Sequence, residues 1–349
     1  MKKRVSCLTW WLIGMAVFLL NGCWLVGETP PVELTTARSD FKVAILLPGP
    51  ANDKAWNQSG YEGLKLIEQE FKAETAFVER LEGPELAVRS REAAHRFAAS
   101  GFDLVILHGG EFVPIAESVA REFPRTRFAL SGTYAGNNSN LGAVAFRFEE
   151  SGYLSGVLAA LHTRSNKVAY IAGFDYPSYV EEGKLFEIGA KSIKPEIQVK
   201  IAYLQTWFDP NKARDTALGL ARDGYDILLI NADAPGLMAI REVTKLDGVY
   251  VIGHNQDQSD IAPGRVLTSV IDNVPLLLLK AATLVQLGRW EGKQYKFGMR
   301  EDILRFAPFR GAVRPAEEAV FHKVQTDILT GSLNISTEIG ALSSEVQGN

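Results

Sequence analysis

From Phe41 onward, short apolar runs alternate with segments of helical period, and the alternation repeats itself. Gly101-Phe102-Asp103-Leu104-Val105-Ile106-Leu107 returns 123 residues later as Gly224-Tyr225-Asp226-Ile227-Leu228-Leu229-Ile230. Lys42-Val43-Ala44-Ile45 returns as Lys167-Val168-Ala169-Tyr170 at an offset of 125, and Phe128-Ala129-Leu130 as Tyr250-Val251-Ile252 at 122. One such match is the ordinary turn-then-buried-strand pattern. Three in the same order at nearly one spacing predict an α/β fold of two similar lobes. Each lobe is then a parallel sheet with helices on both faces.

The expected strands of the first lobe are Val43–Leu47, Ala76–Val78, Leu104–Leu107, Phe128–Leu130 and Ala143–Phe146. Those of the second are Val168–Ala172, Val199–Tyr203, Ile227–Ile230 and Tyr250–Ile252, followed by Val266–Asp272 on the way out. The resulting boundaries are lobe one at 41–147, lobe two at 148–270, and a return to lobe one with a C-terminal cover at 271–335. A tail follows at 336–349. Crossovers at Phe146-Arg147-Phe148 and after Asp272 predict a hinge over a cleft.

Ahead of the lobes, Lys2, Lys3 and Arg4 precede an apolar stretch, Trp10–Leu20, too short to span a bilayer. It ends Leu20-Asn21-Gly22-Cys23, which resembles a bacterial lipobox. Residues 1–22 are expected to be a lipoprotein signal peptide, and 23–40 a lipidated Cys23 with a flexible tether. An ordinary secretory signal that happens to contain Cys is the competing reading. The chain holds two Cys; Cys7 leaves with the signal, so no internal disulfide is possible in the mature body. Loss of the signal takes the formal net charge from −4 to −7, which speaks against nucleic acid as a partner. The expected location is the extracytoplasmic face of the cell membrane, held by lipid.

In α/β sheets ligands sit beyond the carboxyl ends of the strands. Lobe one places there Asp53, Trp56 and Asn57, then His108-Gly109-Gly110-Glu111-Phe112, then Ser131-Gly132-Thr133-Tyr134. Lobe two offers Gly173-Phe174-Asp175-Tyr176, Trp207-Phe208-Asp209, Asn231 with Asp233, and His254-Asn255-Gln256-Asp257. These loops are rich in aromatics, amides and acids and nearly lack Lys and Arg, which favours a neutral, flat, hydroxyl-bearing ligand over an anion. Stacking between two aromatics contributes roughly 0.5–1.5 kcal/mol each beyond area burial. The bland readings are a capped helix with one core indole for Asp53-Lys54-Ala55-Trp56, and plain core for Trp207-Phe208.

Other chemistry has little support. Gly109-Gly110 is not a phosphate-loop motif. His108 and His254, with no Cys or paired His nearby, do not make a zinc site. There is no nucleophile elbow or serine triad order. Asp53 and Asp257 are the one carboxylate pair conceivable for glycoside chemistry. No cofactor and no enzymatic activity are expected.

Taken together, Asn52–Gly63, Phe146-Arg147 with Glu150–Gly156, Trp207–Pro210, Gly253 with Asp257-Gln258, and Leu267–Val270 resemble the basic membrane protein (Bmp) family of ABC-importer solute-binding lipoproteins. The resemblance implies a two-lobed, type I periplasmic-binding-protein-like fold, a nucleoside or related heterocycle in the interlobe cleft, and an ABC permease as partner. It implies an aromatic clamp of Trp56 and Trp207 or Phe208, with Asn57 and Asp53 at the base edge. Gly109, Glu111, Asn231, Asp233, Asn255, Asp257 and Asp272 complete the expected ligand-binding set. Asn255 stands where the family's Gly-x-Asp-x-Asp-Gln has its first acid, and Asp272 where its Ser-x-x-Lys has lysine. Ribose recognition is therefore not implied. His108–Phe112 and Asp257–Asp260 are closer to a regulatory branch of the family, which gives a second expectation: a regulator or sensor without a transport role.

Overall fold

The computed structural model describes residues 40–53 and 55–335, all within one compact unit, Arg38–Asn349. The expected signal peptide, Cys23, most of the tether and the tail lie outside the described residues.

Two six-stranded sheets form the frame. In lobe one they come from β1 (Lys42–Leu46), β2 (Glu74–Val78), β3 (Leu104–Leu107), β4 (Arg127–Ser131) and β5 (Leu141–Phe146), with helices α1 (Trp56–Phe71), α2 (Leu86–Ala99) and α3 (Val113–Glu122) between them. Helix α4 (Phe148–His162) leads into lobe two: β6 (Lys167–Ala172), α5 (Pro177–Ile193), β7 (Gln198–Tyr203), α6 (Pro210–Arg222), β8 (Ile227–Asn231), α7 (Asp233–Val243), β9 (Tyr250–Gly253) and β10 (Val266–Asp272). The chain ends with α8 (Val274–Gln286), β11 (Gln294–Phe297), β12 (Leu304–Phe306) and α9 (Pro315–Thr330).

The strand orders are β11-β5-β4-β3-β1-β2 and β12-β10-β9-β8-β6-β7. Every recorded pair is parallel except β10 with β12. The segments that echo one another in sequence, β1 and β6, β3 and β8, β4 and β9, occupy equal places in the two sheets. Strand side chains alternate between two buried faces, as a doubly covered parallel sheet requires. Val43, Ile45 and Leu47 pack towards α1 and α8, whereas Ala44 and Leu46 pack towards α2 and α3. Val168, Tyr170 and Ala172 pack towards α4, α5 and α9, and Ala169 and Ile171 towards α6 and α7.

Strands β11 and β12 were not expected. Both are short edge strands, β11 with half-buried side chains throughout and β12 only three residues long, so neither leaves an apolar run in the sequence. They make a third crossing between the lobes. The crossings lie side by side: Arg147 N donates to Phe297 O at 2.8 Å, and Asn273 N to Ile303 O at 2.9 Å. Met299 N also donates to the half of the waist in α4, at Glu150 Oε2, 2.8 Å away.

Helix α4 is buried nearly all round and crosses α5 at close range. A Cβ on Gly156 would lie 2.0 Å from Phe186 O, and one on Gly189 2.1 Å from Tyr153 O. Only glycine permits that approach, and it fixes how closely α5 lies against α4.

Candidate ligand-binding site

The lobe-one wall is built by the loop after β1. Asp53 accepts hydrogen bonds from Ala55 N (2.8 Å), Asn57 N (3.1 Å), Gln58 N (3.0 Å) and Asn57 Nδ2 (2.7 Å). Asn57 Oδ1 accepts from Gly49 N at 2.9 Å. Asp53 is thus spent on the orphan amides of the first turn of α1, and most of the Asn57 amide on the loop. The expectation that Asp53 meets a ligand edge is corrected: it caps the helix, and Asn57 reaches the cavity only as part of the loop it braces. Asp53→Ala is expected to lower stability by about 1–2 kcal/mol, the range of a lost cap. Chemical denaturation checks this.

That bracing aims Trp56 at the cleft. Its indole stacks on the His108 imidazole with centroids 4.2 Å apart and planes 9° apart. His108 is fully buried; its Nε2 lies 3.0 Å from Trp56 O and its Nδ1 2.7 Å from Ser131 Oγ. A carbonyl oxygen only accepts, so Nε2 carries the proton and Nδ1 accepts from the serine hydroxyl. Burial pushes the imidazole down to about 4, so it is neutral at neutral pH. One indole face is therefore covered, while the ring lines the cavity.

The lobe-two wall is organised by Glu182 on α5, which is fully buried. It accepts from Ser151 Oγ (2.9 Å), Tyr170 Oη (2.8 Å) and Asn231 Nδ2 (2.8 Å), and its Oε1 lies 3.0 Å from His254 Nε2. On the other side, His254 Nδ1 accepts from Asn255 N at 3.0 Å and is 3.4 Å from Asp272 Oδ2. Burial disfavours the imidazolium, yet Asp272 and Glu182 together push His254 up to about 10. Glu182 is held below the usual carboxylate range: burial works against its charge, and His254 with two neutral donors, Asn231 and Tyr170, overcomes it. Burial raises Asp272 despite His254. At the end of β8, half-buried Asp233 is pushed up to about 7, first by burial and then by the charges of Asp53 and Asp272. Asp233 (φ 49°) and Asn255 (φ 74°) both hold left-handed backbone, and Asn255 Nδ2 is 3.4 Å from Asp233 Oδ1. Such conformations are uncommon for residues with a Cβ, and here they turn both side chains to the cleft.

Between these walls lies a cavity of about 250 Å3. Trp207 forms part of its lobe-two side, lying over Gly173, edge-on to Tyr179 at 5.3 Å and near Phe174 at 5.7 Å. Phe208 stands at the rim, 75% exposed. Of the residues expected from sequence, Trp56, Asn57, Gly109, Glu111, Trp207, Phe208, Asn231, Asp233, Asn255 and Asp272 line this one cavity. Trp56 and Trp207 face it from opposite lobes and make no recorded ring contact with each other. Asp257 is not among the lining residues: it pairs with Arg310 at 2.6 Å and accepts from Ser259 N at 3.1 Å. Asp53 and Asp257 therefore form no carboxylate pair at the cavity. Tyr176, expected only as part of a cleft loop, lines the cavity, and sequence reasoning missed Tyr179 beside it at the start of α5 and Glu182, which holds the network from behind. The spacing Tyr176-Pro177-Ser178-Tyr179 after β6 was the available signal. For Glu182 there was none, since adjacent Glu181 has the same chemistry. Among the described residues, no Lys or Arg lines the cavity.

Residues 41–342 match the family described as ABC transporter substrate-binding protein, PnrA-like. The transcriptional activator protein med of Bacillus subtilis is 28% identical over 326 residues, covering 92% of this chain and 97% of that protein. A purine-binding protein of Brucella abortus is 28% identical, covering 85% of this chain and 83% of that one. Basic membrane protein B of Borrelia garinii is 30% identical over 83% of this chain and 87% of its own. Among solved structures, a transcriptional activator of the comK gene from Bacillus halodurans superposes with a TM-score of 0.71 at 21% identity, covering 84% of this chain and 99% of that one. ABC transporter solute-binding proteins from Aeropyrum pernix give 0.71 at 17% identity over 87% of this chain and 98% of that one. Both likenesses bear on the fold, which is that of the type I periplasmic binding proteins. With its two echoing lobes, its cleft and this match over the lobes' whole length, the chain belongs to the Bmp family of PnrA-like substrate-binding proteins.

Proposed function

We propose that the protein is a lipid-anchored, extracytoplasmic binding protein that closes two lobes on a nucleoside or related heterocycle and presents it to an ABC permease. The observation that carries the reading is the interlobe cavity with Trp56 on one lobe and Trp207 on the other, amides and carboxylates between them. Flat rings fill such a space by stacking, and ring edges find donors and acceptors on the walls. The Brucella relative, named a purine-binding protein, supports the same ligand class. Cys23 is the proposed acylation site, and no catalytic step is assigned to the cleft.

A second reading has its own support: a relative matched over 97% of its own length is named a transcriptional activator. On that reading the cleft senses a ligand and feeds no transporter.

The test is a melting-temperature and tryptophan-fluorescence titration of the full chain in detergent with nucleosides, free bases, riboflavin, sugars and amino acids. A true ligand at a hundredfold excess over its Kd adds about 2.7 kcal/mol of stability. Shifts with sugars or amino acids and none with any heterocycle would overturn the ligand class. Failure of a Cys23→Ser chain to lose palmitate labelling would remove the anchor.

A further inference from the structure

Asp272 ends β10 at the crossing back to lobe one, and its two oxygens have different fates. Oδ2 lies beside His254. Oδ1 has no hydrogen-bond partner among the described residues, although the side chain is only 3% exposed and the residue lines the cavity. A buried carboxylate oxygen without a donor is costly, and a ligand N–H or O–H at that point recovers the cost.

Charge selects between those donors. Glu182 and Asp272 flank a single imidazole, so at most one positive charge is shared between two carboxylates. Asp233 faces the same space, Glu111 stands on the opposite lobe, and among the described residues no Lys or Arg lines the cavity. A hydroxyl satisfies Oδ1 but leaves the surplus negative charge enclosed. An ammonium group satisfies it with a charge-assisted hydrogen bond and offsets the charge as well. Trp56, Asp233 and Asp272 also share the wall of a smaller adjoining recess, which places an indole next to both acids. An aromatic ring beside carboxylates is a setting that favours cations further.

We propose that the cleft binds a heterocycle carrying a protonated amine, whose N–H donates to Asp272 Oδ1 with Asp233 as the second carboxylate. This rests on the heterocycle reading above, and the experiment separates the two. The full chain in detergent is titrated calorimetrically, near neutral pH, with adenosine, with its analogues bearing an amine in place of the 3′- or the 5′-hydroxyl, and with agmatine. One amino analogue is expected to bind at least about tenfold tighter than adenosine, the margin of one charge-assisted contact. In Asp272→Asn that preference is expected to disappear. Adenosine binding as tightly as both amines overturns the cation assignment and leaves the heterocycle reading standing. Agmatine binding alone overturns the heterocycle reading and supports the carboxylate site. No binding by any of the four overturns both. Should Asp272→Asn fail to melt cooperatively, Asp233→Asn takes its place, again with loss of preference expected; a folded variant that keeps the full preference overturns the proposal.

Discussion

Trp56→Ala is expected to weaken binding of the tightest nucleoside at least about a hundredfold, a loss near 3 kcal/mol, while the protein stays folded. The size follows from what the indole supplies. It gives the cavity an aromatic wall already held in place by His108, so a ring that stacks on it meets a surface that needs no further ordering. The retained fold follows from which atoms His108 uses. Its Nε2 pairs with the Trp56 carbonyl and its Nδ1 with Ser131, and both contacts survive truncation of the side chain. The one side-chain bond lost is Trp56 Nε1 to His108 O at 3.4 Å, a long one. Trp56→Phe is expected to keep most of the affinity, because the ring face remains. Calorimetric titration with parallel melting curves measures both; an alanine variant that binds within about threefold of the parent would sink this account of the site.

The second large effect is on stability. A rise in pH from 7 to 10 is expected to cost on the order of 4 kcal/mol through His254. Its folded pKa lies near 10 against an ordinary 6.5, and each unit is worth about 1.4 kcal/mol. A group that holds its proton more tightly when folded stabilises fully below its unfolded pKa and loses that contribution as pH climbs to the folded one. Deprotonation leaves Glu182 and Asp272 facing each other across a neutral ring in a buried site. Asp233, His108, Tyr170 and Tyr179 act outside this window. The contribution of Asp233, raised to about 7, is spent by neutral pH. His108, depressed to about 4, acts in the opposite sense and only below its ordinary value. The raised Tyr170 and Tyr179 titrate above 10. Denaturant unfolding at several pH values gives the slope, and His254→Gln, which keeps a donor for Glu182 but cannot ionise, is expected to flatten it. A parent curve that is level from neutral to alkaline pH, or a variant that falls with it, contradicts the assignment of the charge to His254.

The strands of both lobes were legible because parallel strands covered on both faces are continuous apolar runs, as in Leu104–Leu107 and Ile227–Asn231. The repeat supplied what a single run does not, the pairing of places between the sheets. The half-exposed Gln294–Phe297 and the three-residue Leu304–Phe306 carry no such signature, so the third crossing was invisible. At the site, strand-end position alone gathered most of the lining. It failed where a side chain's fate depends on a distant partner. Asp257 is drawn off by Arg310, 53 residues away, and Glu182 is chosen over Glu181 by the phase of α5 against Tyr170. Asp53 had two plausible fates in the sequence, and the amides of its own helix claimed it.

The threefold crossing between the lobes also has a consequence for how the protein is made. Neither lobe is a contiguous stretch of chain. The core of lobe one, begun at Val43, is closed by Leu277, Leu278, Ala281 and Trp290, and that of lobe two by Phe309, Val313 and Phe321. A chain emerging from its amino end therefore has both cores standing open until α8 and α9 have been delivered. A nascent chain halted after β10 presents two unsealed apolar faces at once. Chaperones must shield that half-made protein, and truncation from the carboxyl end removes the keystone of both lobes rather than trimming one.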